Sequence, residues 1–156
     1  MSDKIKDTAS QNPVIGYFNI HERSDGEVFI VAFLFVDSHG FPLEYAFSDE
    51  IKINKMQRIL YGSTLRKFII EKVAGYNFLD KIKNKPTLIL VNERDLLELR
   101  GAVEYPVILI EKNEECTHQD YPDDLKKVSK LIEKCKSQYD IIEPFERLEK
   151  VLTESL

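Results

Sequence analysis

Hydrophobic runs separated by short polar turns fill the first third of the chain and predict three β-strands. The runs are Val14–His21, Val28–Val36 and Pro42–Phe47, and the turns between them close on Gly26 and Gly40. Short turns that end in glycine connect antiparallel strands, so the three strands are expected to form a meander. Val28–Val36 is apolar throughout, as in a strand covered on both faces, whereas the alternation in Pro42–Phe47 is typical of an edge strand.

Asn54–Leu79 is the longest stretch with a helical pattern, but its hydrophobic residues fall on two sides. At about 100° per residue, one side collects Met56, Ile59, Leu60, Ile70 and Ala74, and the other collects Tyr61, Leu65, Phe68 and Ile69. The register changes at Gly62–Ser63. Two alternatives follow: the helix breaks there and Ser63 or Thr64 caps a second helix, or it is continuous and its second face is covered by the C-terminal helices or another chain.

The second half of the chain alternates between strands and helices. Thr87–Val91 and Val107–Ile110 are short apolar runs that predict buried parallel strands. Between them we expect a short helix that is capped by Asn92, with Asp95 in a capping-box role and Gly101 as its stop.

The C-terminal third begins with an acidic segment. Glu111–Asp124 holds six carboxylates and few apolar residues, which indicates a solvated loop. Two amphipathic helices are predicted after it, starting near Pro122 and Pro144. Their apolar stripes are Leu125, Val128, Ile132 and Cys135 in the first helix, and Phe145, Leu148, Val151 and Leu152 in the second.

This order of elements predicts an α/β or α+β fold with a single mixed sheet: a three-stranded antiparallel meander, then helix–strand–helix–strand and C-terminal helices. We expect a disordered lead-in at residues 1–12 and one globular domain at residues 13–156. The order resembles the ribonuclease H-like fold over about residues 14–140.

The resemblance implies a specific chemistry that can be compared with the residues. Active members of this fold hold two metal ions through carboxylates on the first strand, the first helix, the end of the fourth strand and the last helix. The alternative prediction is therefore a Mg²⁺ or Mn²⁺ site formed by Glu71, Glu93 and Glu111. Because Val14–His21 contains no acidic residue, and Asn92 and Glu93 stand where an aspartate is expected, the main prediction is no metal or other cofactor.

Charge is unevenly distributed along the chain. The 156 residues have a formal net charge of −5, which argues against a nucleic-acid footprint over the whole surface. Residues 51–85 nevertheless hold nine basic and two acidic residues, a local net charge of +7. Candidate contacts for an anion or nucleic acid are Lys55, Arg58, Arg66, Lys67 and Lys72. The alternative is that these are solvated charges balanced by the acidic segment Glu111–Asp124.

Other sites are only weakly indicated. Ligands of open α/β sheets bind beyond the carboxyl ends of parallel strands, which points to Asn92, Glu93, Glu111 and His21, unless Asn92 caps a helix and the others are surface charges. Cys116 and His118 have metal-ligand side chains, but too few ligands accompany them for a zinc site. Dispersed glycines exclude a known phosphate loop, and no nucleophile elbow occurs, so no catalytic residue is predicted.

The cellular setting follows from the same residue types. No signal peptide or membrane span is recognisable, and the two cysteines lack a paired spacing, which predicts reduced thiols in the cytoplasm. The leading functional prediction is a noncatalytic accessory or regulatory domain that acts through a protein partner or self-association. The alternative is a nucleic-acid-binding protein, or a divergent metal-dependent nuclease of the ribonuclease H-like kind.

Overall fold

The computed structural model describes residues 12–112 and 114–155. Its strands are β1 (Ile15–Arg23), β2 (Val28–Val36), β3 (Pro42–Phe47), β4 (Ile51–Lys52), β5 (Leu88–Val91), β6 (Val107–Glu111) and β7 (Glu114–Thr117). The α-helices are α1 (Lys55–Tyr61), α2 (Leu65–Phe68), α3 (Asp124–Gln138) and α4 (Glu143–Ser155). A π-helix (Ile69–Phe78) continues α2, and a 3-10 helix spans Arg94–Ala102. Of the predicted lead-in, only Asn12 is among the described residues.

The strands form one mixed sheet in the order β3-β2-β1-β5-β6-β7, with β4 paired to β2. β1, β2 and β3 are antiparallel neighbours, whereas β1, β5 and β6 are parallel to one another. Helical segments connect the meander to β5 and β5 to β6, as parallel pairing requires. The predicted fold class, a single mixed sheet that begins with an antiparallel meander, is confirmed.

Both faces of the sheet are covered by helices. Alternate residues of β1 point to opposite faces, so Ile15 and Tyr17 pack with α3 and α4, while Phe18 and Ile20 pack with the π-helix. β2 is buried at every position after Val28, which confirms that it is an interior strand. Most residues of the predicted apolar stripes of α3 and α4 are buried, namely Val128, Ile132, Cys135, Phe145, Leu148 and Leu152, whereas Leu125 and Val151 are half-buried.

The long helical stretch breaks at Gly62. This glycine has φ 54° and ψ −129°, a backbone conformation outside the helical region. The break turns α1 away from the core, so Met56, Ile59 and Leu60 are exposed and do not share a face with Ile70 and Ala74. The predicted cap is wrong as well: neither Ser63 nor Thr64 caps α2 with its side chain, and the Thr64 hydroxyl donates to the Tyr61 carbonyl instead.

Two predictions in the second half need correction. The segment after β5 is a 3-10 helix whose N-cap position is Glu93, not Asn92, and no side chain caps it. Part of the acidic segment is not a loop, because Glu114–Thr117 forms β7 and pairs antiparallel with β6. This strand covers the outer edge of β6, packs Cys116 against the core and places Glu115 2.6 Å from the ammonium of Lys136. Within the described part of the chain, no helix has the length and apolar character to cross a membrane.

Candidate functional site

The carboxyl ends of the parallel strands carry acidic residues from three places in the chain. β1 pairs with β2 as far as Arg23, so the first strand is longer than predicted and includes Glu22. Glu93 and Asp95 follow the end of β5, and Glu111 ends β6. Strand alternation places Glu22 on the face covered by the π-helix and His21 on the opposite face, so His21 does not join these acids.

Arg66 on α2 binds two of these carboxylates at once. Its Nη2 lies 2.6 Å from Glu93 Oε2 and 3.3 Å from Asp95 Oδ1, and its Nε also donates to Asp95 Oδ2. Partial burial disfavours the charged guanidinium, but the hydrogen bond and charge of Asp95, with the charges of Glu93 and Glu22, raise the pKa of Arg66 above its ordinary value. Two predicted site residues, Arg66 and Glu93, therefore form an ion pair with each other, and Asp95 shares the same guanidinium.

Lys67 lies in a second group of charges beside the 3-10 helix. Its ammonium is 3.8 Å from both Glu71 and Glu98. His118 Nε2 lies 3.7 Å from Glu98, and His118 Nδ1 accepts a hydrogen bond from the Asp120 backbone at 3.0 Å. These contacts link α2 and the 3-10 helix to the segment after β7, and His118 takes part in them through Glu98.

The three carboxylates of the alternative metal site are not brought together. Glu71 pairs with Lys67, Glu93 pairs with Arg66, and Glu111 lies exposed at the end of β6 opposite Glu114. Among the described residues no group of three or more histidine, cysteine or acidic side chains is arranged to hold a metal ion. These three carboxylates do not offer a divalent ion a common donor set as they stand, because Glu71 and Glu93 are already paired with basic side chains.

The α1 surface, formed by Lys52, Lys55, Met56, Arg58, Ile59 and Leu60, remains open. The apolar residues Met56, Ile59 and Leu60 are 62%, 64% and 77% exposed. At about 100° per residue they lie on the side of α1 opposite Tyr61, whose ring packs on Phe68 at 4.7 Å between centroids. The apolar side of α1 therefore points away from the body of the molecule.

Three basic side chains lie near this surface: Lys55 is on α1 one turn before Ile59, Arg58 is on the side of α1 nearer Tyr61, and Lys52 is on β4 just before the helix. Within the part of the chain that the structure describes, no carboxylate lies within 4.0 Å of Lys52, Lys55 or Arg58. Arg58 lies beside the β1–β2 turn, where a Cβ added to Gly26 would be 3.2 Å from Arg58 Nη2 and 3.6 Å from Glu22 Oε1. Asn54 and Gln57 form a reciprocal capping box that fixes the start of α1.

The five predicted anion contacts thus have different surroundings. Arg66 and Lys67 face carboxylates, and Lys72 lies over the Tyr76 ring with its Nζ 4.8 Å from the centroid. Lys55 and Arg58 remain exposed on α1. Carboxylates after β5 and on the 3-10 helix balance part of the positive charge of residues 51–85. The sequence had instead suggested the acidic segment Glu111–Asp124 as the source of the balancing negative charge.

Comparisons with known proteins concern the fold. No family model and no curated protein matches this chain. An endonuclease V from Ciona intestinalis, solved with inosine-containing DNA, is 10% identical over 84% of this chain and 58% of its own, with a TM-score of 0.40. Endonuclease V from Bacillus subtilis is 17% identical over 66% of this chain and 45% of its own, with a TM-score of 0.39. LC11-RNase H1 from compost is 12% identical over 90% of this chain and 92% of its own, with a TM-score of 0.37.

The strand order of this chain, an antiparallel meander followed by parallel strands added beside β1, agrees with the predicted resemblance to the ribonuclease H-like fold. The chain spans less than two thirds of the length of the two endonuclease V structures. The three solved structures described above are nucleases. The leading prediction of a noncatalytic accessory or regulatory domain is contradicted by that finding and is wrong. The partner or self-association that accompanied it stays a prediction.

Glu22 and Asp95 are the site residues that sequence reasoning missed. The predicted first strand ends at His21 and leaves Glu22 out, whereas β1 continues through Glu22 to Arg23. Asp95 was given a capping role, whereas its carboxylate binds Arg66. The sequence does show a basic helical stretch and acidic residues after a predicted strand. The spacing of these residues along the chain does not determine which basic residue pairs with which acidic residue.

Proposed function

We propose that this chain binds nucleic acid as a protein of the ribonuclease H-like kind and that the α1 surface makes the contact. The observation that carries the proposal is the proximity of unpartnered basic side chains, two on the capped helix α1 and one at the end of β4, to three exposed apolar side chains of α1. Lys52, Lys55 and Arg58 supply positive charge, and Met56, Ile59 and Leu60 supply apolar area.

Each part of the surface suits one part of a nucleic acid. Lysine and arginine bind the phosphate backbone and release its condensed counterions, a gain that needs side chains not already paired with carboxylates. Apolar and aromatic side chains can contact the faces of unpaired bases. Full burial of an exposed Met, Ile or Leu side chain is favourable by about 1.5–3 kcal/mol of free energy. Covering Met56, Ile59 and Leu60 with a bound ligand would therefore stabilise the complex.

Charge reversal on α1 tests the proposal. We expect the wild type to bind a labelled single-stranded DNA or RNA of about 20 nucleotides in fluorescence anisotropy at low salt. The double variant Lys55→Glu/Arg58→Glu should lose at least about tenfold in affinity, or about 1.4 kcal/mol. The matched control is Lys126→Glu/Lys130→Glu, which makes the same charge change on exposed positions of α3.

The outcome separates a specific surface from a general effect of net charge. Equal loss in both double variants would mean that total charge, not α1, governs binding. No binding of either nucleic acid by the wild type at low salt would remove the proposal.

A cytoplasmic setting, in which Cys116 and Cys135 stay reduced, remains part of the expectation, and both cysteines are free in the structure.

A further inference from the structure

Arg66 binds the carboxylates of Glu93 and Asp95 just beyond the end of β5. Through Nε and Nη2 it binds Asp95 and Glu93, and the negative charge of Glu22 on β1 helps these two carboxylates to raise the pKa of Arg66. One cation on α2 is thus paired with two carboxylates from the segment after β5, and a third carboxylate, Glu22 on the first strand, adds to the negative charge around it. These are the kinds of position from which active members of the fold bind metal ions.

A divalent ion would have to displace this guanidinium. Mg²⁺ requires about six oxygen ligands at roughly 2.0–2.1 Å in octahedral geometry. The carboxylates of Glu93 and Asp95 already accept hydrogen bonds from Arg66, and a planar guanidinium pairs well with carboxylate oxygens. An arginine side chain stays protonated under all ordinary conditions, so its charge cannot be removed by pH.

The backbone holds Arg66 in this place. Its neighbours Leu65 and Phe68 pack against the hydrophobic core, and the π-helix continues from α2 into that core through Ile69 and Ile70. The cation is therefore part of the chain and always present, whereas a metal ion must be bound from solution at the expense of these ion pairs.

We propose that Arg66 is the built-in cation of this sheet edge and takes the place of the divalent ion that the fold resemblance implies. Nucleic acid then binds equally well with and without Mg²⁺ or Mn²⁺. That second statement rests on the proposed function, whereas the role of Arg66 in the free protein does not.

The first test uses the free protein and Mn²⁺ as the probe. Arg66→Met leaves the carboxylates of Glu93 and Asp95 without their cation, so Mn²⁺ at constant ionic strength should raise the melting temperature of this variant by at least about 2 °C more than that of the wild type. Arg94→Met is the matched control, because it removes an exposed arginine from the neighbouring 3-10 helix. Its response to Mn²⁺ should equal that of the wild type.

Arg66→Lys keeps the protein testable if the methionine variant does not fold. Lysine retains the positive charge, so this variant should respond to Mn²⁺ as the wild type does. Saturable Mn²⁺ binding to the wild type in calorimetry, lost in Glu93→Gln/Asp95→Asn, would overturn the proposal. An Arg66→Met variant that folds and responds to Mn²⁺ no more than the wild type would also overturn it.

The second test measures nucleic-acid affinity in EDTA, Mg²⁺ and Mn²⁺ at equal ionic strength. We expect the three affinities of the wild type to agree within about twofold, or about 0.4 kcal/mol. A gain of tenfold or more with Mn²⁺ that disappears in Glu93→Gln/Asp95→Asn would contradict the inference. Absence of binding under all three conditions would instead count against the proposed function, and the Mn²⁺ measurements on the free protein would then decide the role of Arg66.

Discussion

Arg66 and Asp95 lie 29 positions apart in the sequence but form an ion pair in the structure. The local sequence around each residue suggests a different role. From its local sequence, Asp95 is a good helix-capping residue, and Arg66 is one of several cations on a basic helix. Their ion pair depends on how α2 packs beside the 3-10 helix after β5, which residue types and spacing do not determine. The individual site residues were therefore partly predictable by type, but their partners were not.

Glu44 allows a prediction about pH at the residue scale. Its Oε1 accepts hydrogen bonds from the Asn84 side chain at 2.6 Å and the Asn84 backbone at 3.0 Å, and its Oε2 accepts from the Lys83 backbone. Burial opposes ionisation, but these hydrogen bonds outweigh it and lower the pKa of Glu44 below its ordinary value of 4.5.

A carboxylate whose folded pKa is lowered stabilises the protein above its unfolded pKa, and this contribution is lost as pH falls through the folded pKa. We expect Glu44→Gln to lower the free energy of unfolding at neutral pH, with a difference from wild type that shrinks as pH falls below 4.5. Urea unfolding at several pH values measures this. Glu146→Gln, at an exposed position of α4, is the control. A stability difference between Glu44→Gln and the wild type that does not change with pH would contradict the prediction.

At the scale of elements, Gly62 decides how the hydrophobic residues of the long helical stretch are used. Sequence periodicity detected the change of register at Gly62–Ser63 but gave two alternatives, since a glycine is compatible with both a helix and a break. The break directs Met56, Ile59 and Leu60 outward, whereas Ile69, Ile70 and Ala74 enter the core through a π-helix. A winding of this kind changes the angular spacing of side chains, which a fixed helical period cannot anticipate.

Gly62→Ala tests this break directly. No atom lies within 4 Å of the position that an added Cβ would take, so the cost arises from the backbone conformation alone. A non-glycine residue in such a conformation costs roughly 1–3 kcal/mol, and we expect urea unfolding to show a loss of this size. Ser63→Ala is the neighbouring control and should stay within about 0.5 kcal/mol. Equal stability of Gly62→Ala and wild type would mean that the break is absent.

At the scale of the whole molecule, element order was predictable and charge balance was not. Local apolar patterns in the sequence predict most of the strands. The rule that helical crossovers connect parallel strands then predicts that β5 and β6 pair in parallel. β7 was missed because its sequence is acidic and its pairing depends on the exposed edge of β6. The basic stretch is balanced by Glu93, Asp95 and Glu98, which fold against it from a later part of the chain.

The central claim, phosphate contact by the α1 surface, is tested most directly by the salt dependence of nucleic-acid binding. For single strands the slope of log K against log salt is about −0.7 per phosphate neutralised. Lys55→Gln/Arg58→Gln should therefore reduce the slope by roughly 1.4, whereas Lys126→Gln/Lys130→Gln on α3 should leave it unchanged. A slope that is the same for the wild type and the α1 variant would contradict the account.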